Sequence, residues 1–283
     1  MVAETGSRGL LAVFAHPDDE SFGAGGTLAL VAATGEPVSL ICTTNGDEGG
    51  EAGDDGDHAM DPEIRREELR CACAALGVNP PIFLGYRDSG METWVPKPGA
   101  LALADRTEVI GRIAAEIRRL RPAVVLTFDP GGIYGHPDHV ATSQAASAAF
   151  HVTASEPGGP RALYHLAFPR SWAESLVAGW TADAARPDAP APTADDLLQR
   201  RRILELAPPD EQITTWVDVR PVLDRKLAAV ACHRSQISEE EVERDAQSRD
   251  EAYATETFIR VHPVLLPGTR ETLLAELEPA AAG

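Results

Sequence analysis

The chain has 283 residues, 43% of them hydrophobic and 24% charged, which excludes a disordered or fibrous protein and allows one large domain with a substantial core. Forty-four acids against 25 lysines and arginines give a formal net charge of -19. Such a field repels phosphate backbones and anionic lipid surfaces, so neither nucleic acid nor membrane is an expected partner.

The first predicted element is a strand over residues 10–15, Leu-Leu-Ala-Val-Phe-Ala, whose unbroken apolar run suits burial on both faces. It turns at once into His16-Pro17-Asp18-Asp19-Glu20. A glycine-rich stretch then leads into a helix over 27–33, closed by Gly35 and Pro37, and a second strand covers 38–42. Residues 43–57 are polar, acidic and glycine-rich and read as a long loop at the same sheet edge. Asp61 and Pro62 form an N-cap and first-turn proline for a helix that carries Leu69, Ala72, Cys73 and Leu76 on one face and stops at Gly77. A third strand over 82–84 runs into Tyr86-Arg87-Asp88-Ser89-Gly90-Met91. A helix over 101–120, with Ile110, Ile113, Ile117 and Leu120 as its buried stripe, precedes a fourth strand over 123–128. That strand runs into Asp129-Pro130-Gly131-Gly132-Ile133-Tyr134-Gly135-His136-Pro137-Asp138-His139 and a helix from 140 to 150.

The alternation predicts an α/β fold, a Rossmann-like, doubly wound, mostly parallel sheet with a C-terminal elaboration. A single domain over 1–283 is expected, with strands near 162–168 and 213–219, a helix over 222–233 and a charged solvated stretch over 238–251. Residues 169–212, rich in Ala, Pro and Asp around 182–193, read as an irregular insertion over the active-site side. Cys42, Cys71, Cys73 and Cys232 are too scattered for a disulfide framework and are expected as small buried thiols. No apolar run reaches the ~18 residues of a membrane span, and residues 1–9 lack a signal-peptide pattern, so a reducing cytoplasm is the default compartment.

Ligands of open α/β sheets collect past the carboxyl ends of strands, where both histidine-rich motifs fall. His16, Asp18, Asp19, His136 and His139 are five side chains able to bind or serve a divalent metal. A catalytic zinc site needs three N/O ligands and one open position. His16, Asp19 and His139 supply three, which leaves Asp18 and His136 for proton transfer and charge stabilisation. A lone histidine at a strand end is commonly just a satisfied polar group, and paired acids often only cap a helix. Two such motifs, each following a buried strand, favour the metal site.

His16-Pro17-Asp18-Asp19-Glu20 paired with His136-Pro137-Asp138-His139 resembles the PIG-L/LmbE-like family of zinc-dependent N-deacetylases, which includes deacetylases and amidases of mycothiol metabolism. The resemblance spans most of residues 9–150 and resumes at 226–236, where Lys226, His233 and Gln236 match the family's C-terminal segment. It implies that His16, Asp19 and His139 bind Zn2+, though N/O ligands also admit another divalent ion such as Fe2+. It implies Asp18 as general base, His136 as oxyanion stabiliser or proton donor to the leaving amine, and Asp138 as the group orienting His136. Tyr134 matches a mobile tyrosine that closes over the substrate. Arg65 and Asp88 match sugar-contacting positions, and Glu48 falls in a loop that lines the pocket.

The implied activity is removal of the N-acetyl group from an N-acetylglucosamine-containing small molecule, giving acetate and a free amine. Residues 86–91 and Tyr134 resemble the branch acting on N-acetylglucosaminyl inositol, whereas the residues after Glu20 depart from the mycothiol S-conjugate amidase branch. A non-catalytic metal or sugar-binding module is the alternative from another class, disfavoured because Asp18 is present. A nucleotide-binding role lacks the Gly-x-Gly-x-x-Gly fingerprint. Oligomeric state stays open, a homo-oligomer included.

Overall fold

The apolar runs gather into one seven-stranded sheet in this computed structural model, with strand order β3-β2-β1-β4-β5-β7-β6. The structure describes residues 8–49, 60–90, 95–185, 191–238, 251–265, 269–271 and 277. Most of the acidic loop expected over 43–57, the charged stretch over 239–250 and Met91 therefore lie outside the described residues. The strands are β1 (Leu10–Phe14), β2 (Val38–Thr44), β3 (Ile82–Tyr86), β4 (Val124–Phe128), β5 (Ala162–Leu166), β6 (Thr215–Asp218) and β7 (Thr255–His262). β1 lies between β2 and β4, parallel to both, with Leu10 in register with Val38 on one side and Val124 on the other. β7 runs antiparallel to β5 and to β6, so the C-terminal edge departs from the parallel pattern.

The unbroken apolar composition of β1 follows from its having helices on both faces. Leu10, Ala12 and Phe14 pack into one core with α2 (Gly25–Ala33), α3 (Pro62–Leu76) and α9 (Leu223–Val230). Leu11 and Val13 pack into the other, with α4 (Arg106–Leu120) and α6 (Pro137–Thr153). The chain leaves β1 for the β2 side and enters β5 from β4 on the opposite side. The carboxyl ends of β1 and β4 therefore flank the crevice where open sheets of this kind bind ligands.

Four expectations need correction. Helix α4 begins at Arg106 rather than at 101, because Asp105 caps it by accepting the N–H groups of Thr107 and Glu108. Within 169–212 the structure contains two helices, α7 (Arg170–Ala184) and α8 (Ala194–Leu206); a reciprocal capping box between Thr193 and Asp196 starts α8 where composition suggested only loop. Strand β7, the run Thr-Glu-Thr-Phe-Ile-Arg-Val-His, adds an element where no strand is expected from the sequence. Cys71 and Cys232, 161 residues apart, form a disulfide between α3 and the turn after α9, so only Cys42 and Cys73 are buried thiols. No helix among the described residues is long and apolar enough to cross a membrane.

Candidate metal centre

At the tip of β1 the chain reverses in a turn built from its own polar groups. The Asp19 carboxylate accepts the backbone N–H groups of Ala15 at 3.2 Å and His16 at 2.7 Å, which fixes His16 over the strand end. Asp18 sits at φ 143°, ψ -31°, a conformation an L-residue adopts only when its surroundings impose it. They do so here: its N–H donates to Glu20 Oε2 at 3.1 Å, and Arg65 Nη2 donates to Asp18 Oδ2 at 3.0 Å and to the Pro17 carbonyl. Asp19 then opens the short helix α1 (Asp19–Gly23).

The tip of β4 is supported differently. Asp129 accepts the N–H groups of Gly131 and Ile133, which curls the chain into the irregular turn α5 (Gly132–Gly135). Gly132 is at φ 62°, and a Cβ there would lie 2.8 Å from that of His139, so the tight approach of the turn to the next helix needs glycine. His136 is the N-cap of α6, its Nδ1 accepting the Asp138 N–H at 3.1 Å, with Pro137 at the first helical position. One turn in, the His139 ring stacks on Phe128 of β4, centroids 4.1 Å apart and 6° from parallel.

These tips converge. His16 Nδ1 lies 3.2 Å from His139 Nε2, His139 Nε2 lies 3.2 Å from Asp19 Oδ1, and His16 Nδ1 lies 3.6 Å from Asp19 Oδ2. Two donors on a tetrahedral ion with bonds of about 2.0 Å are separated by about 3.3 Å, so the spacing fits a small divalent ion. The other nitrogen of His16, Nε2, lies 3.3 Å from Asp138 and 3.4 Å from Asp88, the carboxylate contact that commonly orients a metal-binding imidazole. His16, Asp88, His136 and Asp138 form a second buried group whose donor atoms also lie close enough to hold a metal. Asp138, however, already accepts both the N–H and the hydroxyl of Ser89, and Asp88 accepts the Gly90 N–H. His16, His136 and His139 form another such group, and Asp19, which itself accepts the Ala15 and His16 N–H groups, faces two of its three histidines.

Burial and charge divide the titrating groups. Burial opposes the imidazolium of His16, but the surrounding Asp88, Asp138 and Asp19 carry it well above the ordinary range. Burial and the neighbouring His16 and His139 push His136 down to about 2, so it is neutral near pH 7. Burial raises Asp18, with Arg65 pulling it back and Asp19 adding to the rise. Burial, then Asp19, raises Tyr134, which keeps its phenolic proton.

Each residue singled out in the sequence falls near this crevice, in varied settings. Tyr134 is half-buried with its ring centroid 5.1 Å from that of His139. The bond that reaches the His136 ring from Asp138 comes from its backbone N–H, while the Asp138 carboxylate lies on His16 and Ser89. Arg65 is buried, its Nη2 engaged by Pro17 and Asp18, and its Nε and Nη1 have no partner among the described residues. Asp88 faces His16, and Glu48 is held by Arg87 and Lys97. Ser89, Phe128 and the pair Glu20 and His233 escaped the sequence reading as site residues. Glu20 stood inside the first motif, but nothing local in the sequence links it to His233, 213 positions away.

The family model described as GlcNAc-PI de-N-acetylase, PIG-L, matches residues 11–150. A 1D-myo-inositol 2-acetamido-2-deoxy-alpha-D-glucopyranoside deacetylase of Thermobifida fusca (strain YX) is 37% identical over 250 residues, 82% of this chain and 84% of that protein. A protein of the same name from Acidothermus cellulolyticus is 39% identical over 246 residues, 82% of this chain and 80% of its own length. Among solved structures, the conserved protein TT1542 from Thermus thermophilus superposes with a TM-score of 0.57 at 26% identity, covering 93% of this chain and all of its own. With two strand tips bearing the family's paired motifs and relatives this similar over most of its length, the chain belongs to the PIG-L family of GlcNAc-PI de-N-acetylases.

Proposed function

We propose that the chain is a zinc-dependent hydrolase that removes the acetyl group from an N-acetylglucosaminyl small molecule of the inositol-linked kind, releasing acetate and a free amine. The observation that carries this reading is the triangle of His16, Asp19 and His139 donors with Asp18 on the adjoining residue, in a chain whose relatives are named as deacetylases. His16 Nδ1, His139 Nε2 and Asp19 would hold the ion; Fe2+ suits the same donors. When bound, such an ion polarises the amide carbonyl and acidifies water.

Asp18 acts as the base that takes a proton from water. Its raised pKa also suits it to return that proton to the departing nitrogen. His136 contributes as a neutral donor: its Nδ1 is occupied as an acceptor by the Asp138 N–H, so its proton resides on Nε2. It stabilises charge developing on the carbonyl oxygen, with the Tyr134 phenol as a second donor. Asp138 serves by holding His16. Asp88 and Glu48 are assigned to the sugar hydroxyls, whereas Arg65, matched to a sugar-contacting position by the resemblance, has its Nε and Nη1 buried against Gly46 and Gly49 and acts through its ion pair with Asp18. The single domain carries helices α7 and α8 on the active-site side; Ile203, Ala207 and Ala173 pack with Tyr134, which supports a role for this pair in choosing the aglycone.

The test is metal analysis together with acetate release from N-acetylglucosaminyl inositol. Asp18→Asn should retain one zinc per chain and lose about 10²- to 10⁴-fold in turnover. His139→Ala should lose both metal and turnover. Full activity in Asp18→Asn would overturn the base assignment.

A further inference from the structure

Asp18 is held in its strained conformation by two groups, one distant in the chain and one near it that is itself held from a distance. One is Arg65 on α3. The other is Glu20, whose Oε2 accepts the Asp18 N–H, and Glu20 is itself buried and held. Its Oε1 accepts from the Ser21 hydroxyl at 2.5 Å and from His233 Nε2 at 2.8 Å. Both His233 and Glu20 are almost wholly out of contact with solvent, 0% and 1% exposed. A buried carboxylate without a donor partner is costly and moves or takes up a proton instead. His233, together with the Ser21 hydroxyl, therefore holds Glu20 facing the Asp18 backbone, and of these two donors only His233 comes from a distant part of the chain.

The segment carrying His233 is fixed to α3 rather than merely resting on it. Cys232 is bonded to Cys71 of α3, and Ser235 donates from its N–H at 2.8 Å and its hydroxyl at 2.7 Å to Glu68 of the same helix. The two supports of Asp18, Arg65 and the His233 to Glu20 bond, thus share one foundation. We infer that His233, acting through Glu20, is a positioning residue for Asp18; this rests on the reading of Asp18 as the base. It touches neither the metal donors nor the substrate.

The experiment compares zinc-loaded His233→Ala and His233→Gln with the unsubstituted protein. Gln offers an N–H at a reach similar to that of the imidazole Nε2. His233→Ala should lower kcat about 10- to 100-fold, the cost of a small misplacement near the chemistry, with KM within about twofold and the zinc content unchanged. His233→Gln should recover most of the lost kcat. A purely structural role would lower the unfolding temperature while leaving kcat of the folded, zinc-loaded protein intact, and that result would overturn the inference. So would a kcat loss in His233→Ala that His233→Gln fails to restore while restoring stability. If His233→Ala does not fold, Glu20→Gln, which removes one of the two carboxylate acceptors, must give the same kcat loss, and unchanged kcat there also overturns it. The visible absorption bands of the cobalt-loaded protein give a readout independent of turnover. If the unsubstituted protein released no acetate, the functional reading would fail by itself. The bands would still decide this one: a shift in His233→Ala that His233→Gln reverses supports it, and unchanged bands overturn it.

Discussion

The two strand tips that form the site are held by opposite means. At the end of β4, support is mostly local: a proline at the first helical turn, a histidine that caps its own helix, and a ring stacked on the strand it has just left, with Asp138 held from a distance, by Ser89. At the end of β1, Asp19 secures His16 locally, but Asp18 depends on Arg65, 47 residues on, and through Glu20 on His233. The difference teaches where each part is vulnerable. Apart from the Ser89 bonds to Asp138, the second tip should tolerate distant change and suffer chiefly from its own residues, and the first should register changes made far from it.

The largest expected effect breaks the second tip from within while sparing its scaffold. In His136→Asn the side chain still caps α6, since Asn accepts from a first-turn N–H as well as any residue, but the Nε2 donor is gone. We expect kcat to fall about 10²- to 10³-fold, the usual loss for one oxyanion donor, with zinc content unchanged. His136→Ala should lose the same activity and a further ~1 kcal/mol of stability in thermal or urea unfolding. Equal stability of the two variants would show that the cap contributes nothing.

At the first tip, Arg65→Gln removes a remote support. Burial raises the Asp18 carboxyl, and the Arg65 guanidinium is the main group drawing it back down. Without that charge the carboxyl rises further, and a base works only when ionised. The acid limb of kcat/KM should therefore move to higher pH, with activity at pH 7 lower by about tenfold or more, the worth of one hydrogen bond to a charged group. Arg65→Lys should leave the limb nearer its original place. A limb unmoved in Arg65→Gln would mean that Asp18 is not the group the acid limb reports.

The same contrast explains what the sequence disclosed. Buried parallel strands write themselves as continuous apolar runs, so β1, β2 and β4 and the polar residues at their ends could be read directly, as could the Asp61 cap and the Gly77 stop of α3. The local devices of the second tip were equally visible, because His136, Pro137 and His139 lie within one helical turn. Long-range pairing leaves no local trace. The partnership of Cys71 with Cys232 exists because α3 packs beside α9, and that of Glu20 with His233 because α1 packs against the same helix. Helices α7 and α8 were hidden for a different reason: alanine and aspartate suit both loops and helices, and only the Thr193 and Asp196 box marks the start of α8. Strand β7 is obscured because its buried residues are mostly polar and do not alternate: Glu256, Thr257 and Arg260 are buried along with Phe258.

The smallest expected effect tests how far remote support reaches. Asp61 caps α3 by accepting the Glu63 N–H at 2.9 Å, and Arg65 lies in the first turn of that helix. Asp61→Ala should cost about 1 kcal/mol of stability by fraying that turn. The Arg65 side chain has its own anchors on Asp18 and the Pro17 carbonyl, and the helix is secured farther along by Leu69, Ala72, Cys73 and Leu76 in the core. Activity should accordingly fall by no more than about threefold, since the side-chain bonds persist when one cap is lost. Asp61→Asn, which keeps a capping oxygen, should match the unsubstituted protein in both measurements. A loss in Asp61→Ala as large as that in Arg65→Gln would place the weak point of the first tip at the start of the helix rather than at the ion pair, because only the backbone position of Arg65 would then have changed.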